Sequence, residues 1–376
     1  MYAGCHRGLV TQRKVNRLTN SSTGLRIMTR TIEQLDAQQS ARAFSDRDAF
    51  ALDVLVGLSE TRKTLPSKYM YDDEGSRLFE QITRLPEYYL TDCELDTLQR
   101  HRDRIADYAP RAPFHVIEFG AGSLRKPGIL IDRFVERGLD FEYVPVDISR
   151  EAMESLAGDL ERRYPEVAMR GLVSDYLTGI HWLTGNTRRR NFVLFLGSNI
   201  GNFNRAQATL FLRKLWNGLS DGDVVLIGFD LRKDIELLLA AYNDSQGVTK
   251  QFNLNLMRRI NRELGGHFDL DAFRHFATYD VISGAMESYL VSQEEQDVYI
   301  EAVERSFSFH AWEPIHTEYS YKYLESDIEQ LAQTTGFRVR EHLYDARRYF
   351  VDSLWEVHKT DAPGSQDQPS ARLSET

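Results

Sequence analysis

The chain has 376 residues, 42% of them hydrophobic and 27% charged, an ordinary globular composition long enough for one large or two moderate cores, and two domains are expected. A formal net charge of −10 repels phosphate backbones, and no basic stretch alternates with aromatics, so a nucleic-acid partner is disfavoured. No apolar run approaches the roughly 20 residues that span a bilayer, MYAGCHRGLV lacks a signal-peptide core, and Cys5 and Cys93 alone build neither a disulfide framework nor a thiolate metal site, so a reducing cytoplasm fits best.

Residues 1 to about 42, rich in Arg, Ser, Thr and Gln without a sustained apolar period, are expected to be a disordered leader. Met28, which opens the more ordinary MTRTIEQLD, is a candidate true start. From about Phe114, short β-rich runs (FHVIEF, FEYVPVD, VAMRGLVSD, NFVLFLGS, DVVLIGFD) alternate with segments of helical spacing such as PGILIDRFVERG and REAMESLAGDLERRY. That alternation predicts an α/β fold with a parallel, Rossmann-like sheet covered by helices on both faces.

The series stops near Asp230, and a mostly helical stretch is expected to about Tyr279. Strand-like runs follow in YDVISGAMESYLVS, QDVYIEAVE and RSFSFHAWEPIHTEYS. The helix LESDIEQLAQTTG and the strand pair RVREHLYD and YFVDSLWEV then return to the sheet and close it with an antiparallel hairpin. Residues 43–94 and 232–322 are expected to form a smaller α+β domain beside a sheet domain of residues 95–231 and 323–360, with residues 361–376 a polar, disordered tail. No internal repeat is visible.

The first strand of the series ends in Glu118-Phe119-Gly120-Ala121-Gly122. In a doubly wound sheet this turn receives a nucleotide-like cofactor, because glycines let backbone amides approach it; a plain tight turn reads the same way. Asp147, at the end of the next strand, is placed to accept hydrogen bonds from a ribose diol, or equally to cap the helix beginning near Ser149. Asp175 with Tyr176 ends the third strand, where an acid can meet an adenine amino group while the aromatic covers the ring. GAGSLR lacks the third glycine of G-x-G-x-x-G, which favours S-adenosylmethionine over a dinucleotide. Lys126 lies in reach of a carboxylate bound near the helix start, although a helical lysine is more often a solvated charge. The fourth strand runs into the polar, glycine-rich loop Gly197-Ser198-Asn199-Ile200-Gly201-Asn202-Phe203, at the strand end where reacting groups collect.

Five separated motifs, LPSKYMYDDEGSRLFEQITRLPEYYLT, IEFGAGSLRK, FLGSNIGNF, AAYNDSQGVTKQFNLNLM and HTEYS, occur in order between about residues 60 and 357. Together they resemble the histidine-specific methyltransferases of ergothioneine biosynthesis. The resemblance implies a class I methyltransferase sheet with an amino-acid-binding domain. It also implies S-adenosylmethionine as methyl donor, no metal, and trimethylation of the L-histidine α-amino group to give hercynine. It places the cofactor at Gly120, Lys126, Asp147, Asp175 and Tyr176, alongside Glu118 and Gly122 of the same turn. The substrate's amino and carboxylate groups fall to Tyr88, Asn202 and Tyr242, with Gly197 beside them, and Tyr88 and Asn202 act closest to the chemistry. Glu318 and Ser320, at i and i+2 on a strand and so on one face, are implied to grip the imidazole. Met286 is implied as a pocket wall and Tyr71 as a more distant, water-bridged contact. A monomer acting on a small molecule is expected. The competing expectations are an N-methyltransferase of another amino acid, such as tryptophan or a derivative, and a non-catalytic S-adenosylmethionine-binding protein; a carboxylate against an indole without a basic partner argues against the former.

Overall fold

The computed structural model describes residues 15–19, 26–35, 45–185 and 189–359; the remaining leader residues and the expected tail lie outside the described residues. In chain order the elements begin with β1 (Val15–Thr19), β2 (Arg26–Gln34), α1 (Asp46–Ser59), α2 (Asp73–Ile82) and α3 (Tyr89–Asp107). The βαβ series follows as β3 (Phe114–Phe119), α4 (Pro127–Glu136), β4 (Phe141–Asp147), α5 (Arg150–Arg163), β5 (Ala168–Val173), α6 (Tyr176–Gly185), β6 (Arg190–Phe195), α7 (Arg205–Gly218) and β7 (Val224–Asp230). Then come α8 (Ile235–Tyr242), α9 (Val248–Leu264), β8 (Phe273–Asp280), β9 (Ala285–Ser292), β10 (Gln296–Ile300), β11 (Arg305–Phe309) and β12 (Pro314–Tyr321). The last described elements are α10 (Glu325–Thr335), β13 (Phe337–Tyr344) and β14 (Phe350–Val357).

Nine strands form one sheet in the order β1-β2-β5-β4-β3-β6-β7-β14-β13. The strands from β2 to β7 pair in parallel, and β14 and β13 run antiparallel to β7 as the closing hairpin, as the sequence predicts. Because β3 is covered on both sides, its residues alternate between two apolar layers, Val116 facing the α4–α5 side and Ile117 the α6–α7 side. The chain turns outward in opposite directions from β3 and β6, and the crevice beyond their carboxyl ends is where such sheets bind ligands.

Two expectations need correction. Within the stretch read as a disordered leader, β2 adds to the sheet beside β5 and sends Ile32 into the core, with Leu35 just beyond it packed on the opposite layer. β1, also in that stretch, pairs antiparallel with the other side of β2; a short strand needs only a few β-branched residues to seat on an existing sheet, too short a pattern to register as an apolar period. Likewise Phe273–Asp280, expected in a helical stretch, is a strand. It buries His275 and exposes Phe276, the reverse of what polarity suggests, which hides its alternation.

Beside the large sheet, β8, β9 and β12 make a three-stranded antiparallel sheet in the order β12-β9-β8 that packs on α9. Side chains from α1, α2, α8 and α9 join this sheet in one apolar core. Leu90 and Cys93 of α3 and Phe350 of β14 belong to that core as well, while the body of α3 lies on α4 and β14, so the two units share elements rather than meeting at a linker.

Candidate active site

At the end of β3 the chain turns through Gly120, whose φ of +74° belongs to the left-handed region that favours glycine. A Cβ there would stand 2.8 Å from both the Tyr176 hydroxyl and Asn199 Nδ2, so the turn is closed in by the start of α6 and the loop after β6. Around Gly122 the space is open. The Asp147 carboxylate accepts the backbone N–H of Gly122 at 3.1 Å and that of Ser149 at 2.9 Å, tying the ends of β3 and β4 together. Burial raises its pKa despite those backbone bonds. Asp175 is exposed and caps α6 through the Thr178 N–H at 2.7 Å. Tyr176 packs edge-on against Phe119 and Phe195.

Two of the charged residues named from sequence have other partners. Lys126 Nζ is 2.5 Å from Glu94 Oε2, and the fully buried Glu94 also accepts the Gly197 N–H at 2.7 Å. Glu118 is closed off from solvent, accepts a hydrogen bond from the Tyr143 hydroxyl, and is pushed by burial well above the usual carboxylate range.

Across from the glycine turn, a partly open cavity of about 480 Å³, some of it open to solvent, lies between the two units. Gly197 and Asn202, from the loop after β6, line one side; Tyr71, Tyr88 and Tyr242 line another; Glu318 and Ser320 of β12 complete it. Phe79 and Phe252 supply an apolar floor, each packed on the Tyr71 ring. Met286 is wholly buried and directly opposite Ser320 in the β9–β12 register, so its side chain shares the sheet face of Glu318 and Ser320 and packs beside them without itself lining the cavity.

A β-bulge aims β12. His316, Thr317 and Glu318 stand against only Tyr289 and Ser288 of β9, which shifts the phase of the strand by one residue. Ile315 before the bulge and Glu318 and Ser320 after it therefore face the same side, and Thr317 turns inward to donate to Asn253 Oδ1 at 2.8 Å. Tyr71 and Glu318 line the same cavity. Burial pushes the Glu318 carboxyl up to about 7, against the pull of Lys322.

Lys322, unnamed by the sequence reading, is fully buried beside this pair. Its Nζ is 2.8 Å from Asp230 Oδ2, 2.8 Å from the Tyr242 hydroxyl and 2.9 Å from Ser320 Oγ. Asp230, at the end of β7, also accepts from Tyr89 at 2.6 Å and from Lys233. Burial alone would raise its carboxyl, but Lys322 and Lys233 hold it below the usual range. The available signal was spacing: Glu318, Ser320 and Lys322 fall at i, i+2 and i+4 on one strand face.

A pH dependence of stability follows from Glu318. Its pKa rises from the unfolded value near 4.5 to about 7 on folding, so the stability it contributes is whole below pH 4.5 and is lost as the pH climbs through 7. Glu318→Gln is expected to be more stable than the parent at pH 8, by on the order of 2–3 kcal/mol, with the gap narrowing at pH 5. Thermal melts of the ligand-free proteins at the two pH values test this; an equal gap at both would mean that titration is not its origin.

Among the described residues no group of three His, Cys, Asp or Glu side chains is placed to hold a metal ion, and no helix is long and apolar enough to cross a membrane. The family model for a histidine-specific, SAM-dependent methyltransferase matches residues 50–357. The histidine N-alpha-methyltransferase of Mycobacterium tuberculosis is 38% identical over 293 residues, covering 78% of this chain and 90% of that protein. Its counterpart in Mycolicibacterium smegmatis is 36% identical, covering 79% and 91%. Ergothioneine biosynthesis protein 1 of Schizosaccharomyces pombe is 32% identical over 77% of this chain and 39% of its own length.

Proposed function

The chain belongs to the family of histidine-specific, SAM-dependent methyltransferases, and from that membership we propose that it methylates the α-amino nitrogen of L-histidine three times, giving hercynine, the first step of ergothioneine biosynthesis. The observation that carries this reading is the pairing of Glu318 and Ser320 on one wall of a tyrosine-lined cavity that opens on the Gly197–Asn202 loop. A carboxylate and a hydroxyl side by side suit a ring with two nitrogens; an indole has a single N–H and no ring acceptor, so it could not satisfy both.

S-adenosylmethionine supplies an electrophilic methyl group through its sulfonium. The cradle formed by Gly120, Gly122, Asp147 and Tyr176 fits it: a Cβ at Gly120 would fill the turn, the space at Gly122 is open, and Asp147 presents its carboxylate beside both strand ends. Asp175 and Lys126 stand near the rim of that cradle in this reading. The chain's remaining task is alignment, holding the amine nitrogen in line with the carbon–sulfur bond.

The Asn202 amide and the Tyr88 hydroxyl, each able both to donate and to accept, hold the amino and carboxylate groups, and the Tyr242 oxygen, whose proton goes to Ser320, accepts from the amino group. Burial, and then the nearby Tyr242, push the Tyr88 phenol well above its ordinary value, with Glu318, Asp230 and Glu94 adding to the effect. Tyr88 thus stays protonated at neutral pH; it orients the amine through its oxygen, and the amine's proton leaves to water in the cavity. The Tyr88 and Tyr242 rings, 6.5 Å apart, offer aromatic faces to the growing quaternary ammonium. In this reading residues 43–94 and 232–322 hold the amino acid and residues 95–231 with 323–360 hold the methyl donor. The site is completed within a single chain, and with its thiol-poor composition this supports a monomer working in the cytoplasm.

The test is to incubate the protein with labelled S-adenosylmethionine and each of the twenty amino acids, and to identify products by mass spectrometry. Trimethylated histidine alone is the expected result. Arrest at a monomethyl product with excess donor would overturn the trimethylation, methylation of another amino acid would overturn the role of Glu318 and Ser320, and no product from any would leave a non-catalytic binder.

A further inference from the structure

A serine hydroxyl has one proton to give and two lone pairs. At Ser320 Oγ both lone pairs are taken, by the Tyr242 hydroxyl at 2.7 Å and by Lys322 Nζ at 2.9 Å. Of the two hydroxyls in contact, the phenol is the stronger acid and is polarised further by Lys322, whose Nζ donates to it at 2.8 Å, so the proton between them belongs to the phenol. Lys322 in turn spends its three protons on Asp230, Tyr242 and Ser320, and Asp230 is anchored at the end of β7 by Tyr89 and Lys233. The chain of donors thus runs one way, from a buried ammonium toward the cavity. Only the proton of Ser320 remains uncommitted, and Ser320 lines the cavity.

Glu318, two residues away on the same face, has the opposite polarity. Its carboxylate faces the cavity and has lone pairs for a ligand N–H. The geometry points to a pocket that reads a donor and an acceptor in fixed order. Resting on the histidine assignment above, we infer that Ser320 donates to an unprotonated ring nitrogen while Glu318 accepts the ring N–H, so that the enzyme takes the neutral imidazole in a single tautomer. Lys322 is the positioning residue that sets this polarity. A ring presenting N–H to Ser320 meets a hydroxyl with no lone pair free and is rejected.

Two pairs of histidine analogues separate these roles. L-Thiazol-4-ylalanine and L-thiazol-5-ylalanine carry one acceptor nitrogen at one or the other imidazole nitrogen position and no N–H. The corresponding pyrrol-2-yl and pyrrol-3-yl amino acids carry one N–H and no acceptor. Dissociation constants are read by calorimetry in the presence of S-adenosylhomocysteine. The parent enzyme is expected to prefer one thiazolyl isomer by about tenfold, the worth of one well-placed hydrogen bond. Ser320→Ala removes that preference by weakening only the favoured isomer. In Lys322→Met a lone pair of Ser320 is released, and the pyrrolyl isomer whose N–H meets Ser320 gains about fivefold over the other isomer, a gain that general damage to the fold does not produce. Unchanged affinity of Ser320→Ala for both thiazolyl isomers, or a folded Lys322→Met with the parent's pyrrolyl ratio, would overturn the inference. Should Lys322→Met fail to fold, the thiazolyl pair with Ser320→Ala decides alone. Methylation of histidine by the same preparations shows separately whether the underlying assignment stands.

Discussion

Replacing Glu318 by alanine is expected to raise the KM for L-histidine by about a hundredfold while S-adenosylhomocysteine binds as before. A hydrogen bond to an ionised group contributes about 1.5–3 kcal/mol, and the loss is compounded because the ring N–H is then buried without a partner. Since Glu318 is on β12, and the cofactor cradle is formed by the ends of β3 and β4, the two affinities separate. Glu318→Gln keeps the shape and an acceptor oxygen, and should fall between the parent and the alanine variant. Aromatic amino acids without ring nitrogens should gain on histidine in Glu318→Ala, because the buried carboxylate that rejects them is gone. Steady-state kinetics with histidine and phenylalanine, together with calorimetry of S-adenosylhomocysteine, checks all three expectations. An unchanged KM would place the imidazole elsewhere.

Gly120→Ala is expected to weaken S-adenosylhomocysteine by at least about a hundredfold, the largest effect of a single methyl group anywhere in the site. Two costs coincide. The backbone at φ +74° is strained for any residue with a Cβ, and the new methyl would stand 2.8 Å from the Tyr176 hydroxyl and from Asn199 Nδ2, which must move out of the cradle. Gly138 provides the matched control. It has a similar φ of +66°, lies in the turn after α4, and has nothing within 4 Å of a built Cβ. Gly138→Ala should therefore lose stability of about 1–2 kcal/mol from backbone strain alone and keep cofactor affinity. Equal affinity losses in the two variants would mean that strain, not the cradle, governs binding.

Much of this architecture can be read along the chain because its causes are local. The runs from FHVIEF to DVVLIGFD are continuously apolar and bounded by turn residues, which is how a strand buried on both faces must look. The glycines after β3 and β6 mark left-handed turns, and Gly120 and Gly197 adopt them. Asp147 and Asp175, read as cofactor ligands or caps, both hold backbone N–H groups, so the two readings are not exclusive. Tyr71, Tyr88, Tyr242, Glu318 and Ser320 became candidates through resemblance to a family, since one sequence gives no sign that segments nearly 250 residues apart share a cavity.

The tertiary structure decided whatever depends on neighbours distant in the chain. The bulge at Thr317 sets which face Glu318 and Ser320 share with Ile315, and a plain alternation from Pro314 would put them on the opposite one. Met286 stands beside Ser320 on the same sheet face, a neighbourhood set by the β9–β12 register and not legible from residue type. β2 is a strand only because β5 offers it an edge. Lys322, Asp230 and Glu94 look like ordinary surface charges in a sequence. Their burial is tolerated because each finds its partners in elements far along the chain, and a buried charge is stable only when such partners are supplied. The sequence by itself thus determined the sheet, its glycine turns and the acids at its strand ends, through local patterns of burial and turn chemistry. The buried charge network beside Ser320 was decided only when folding brought Lys322, Asp230 and Tyr242 from distant parts of the chain into contact.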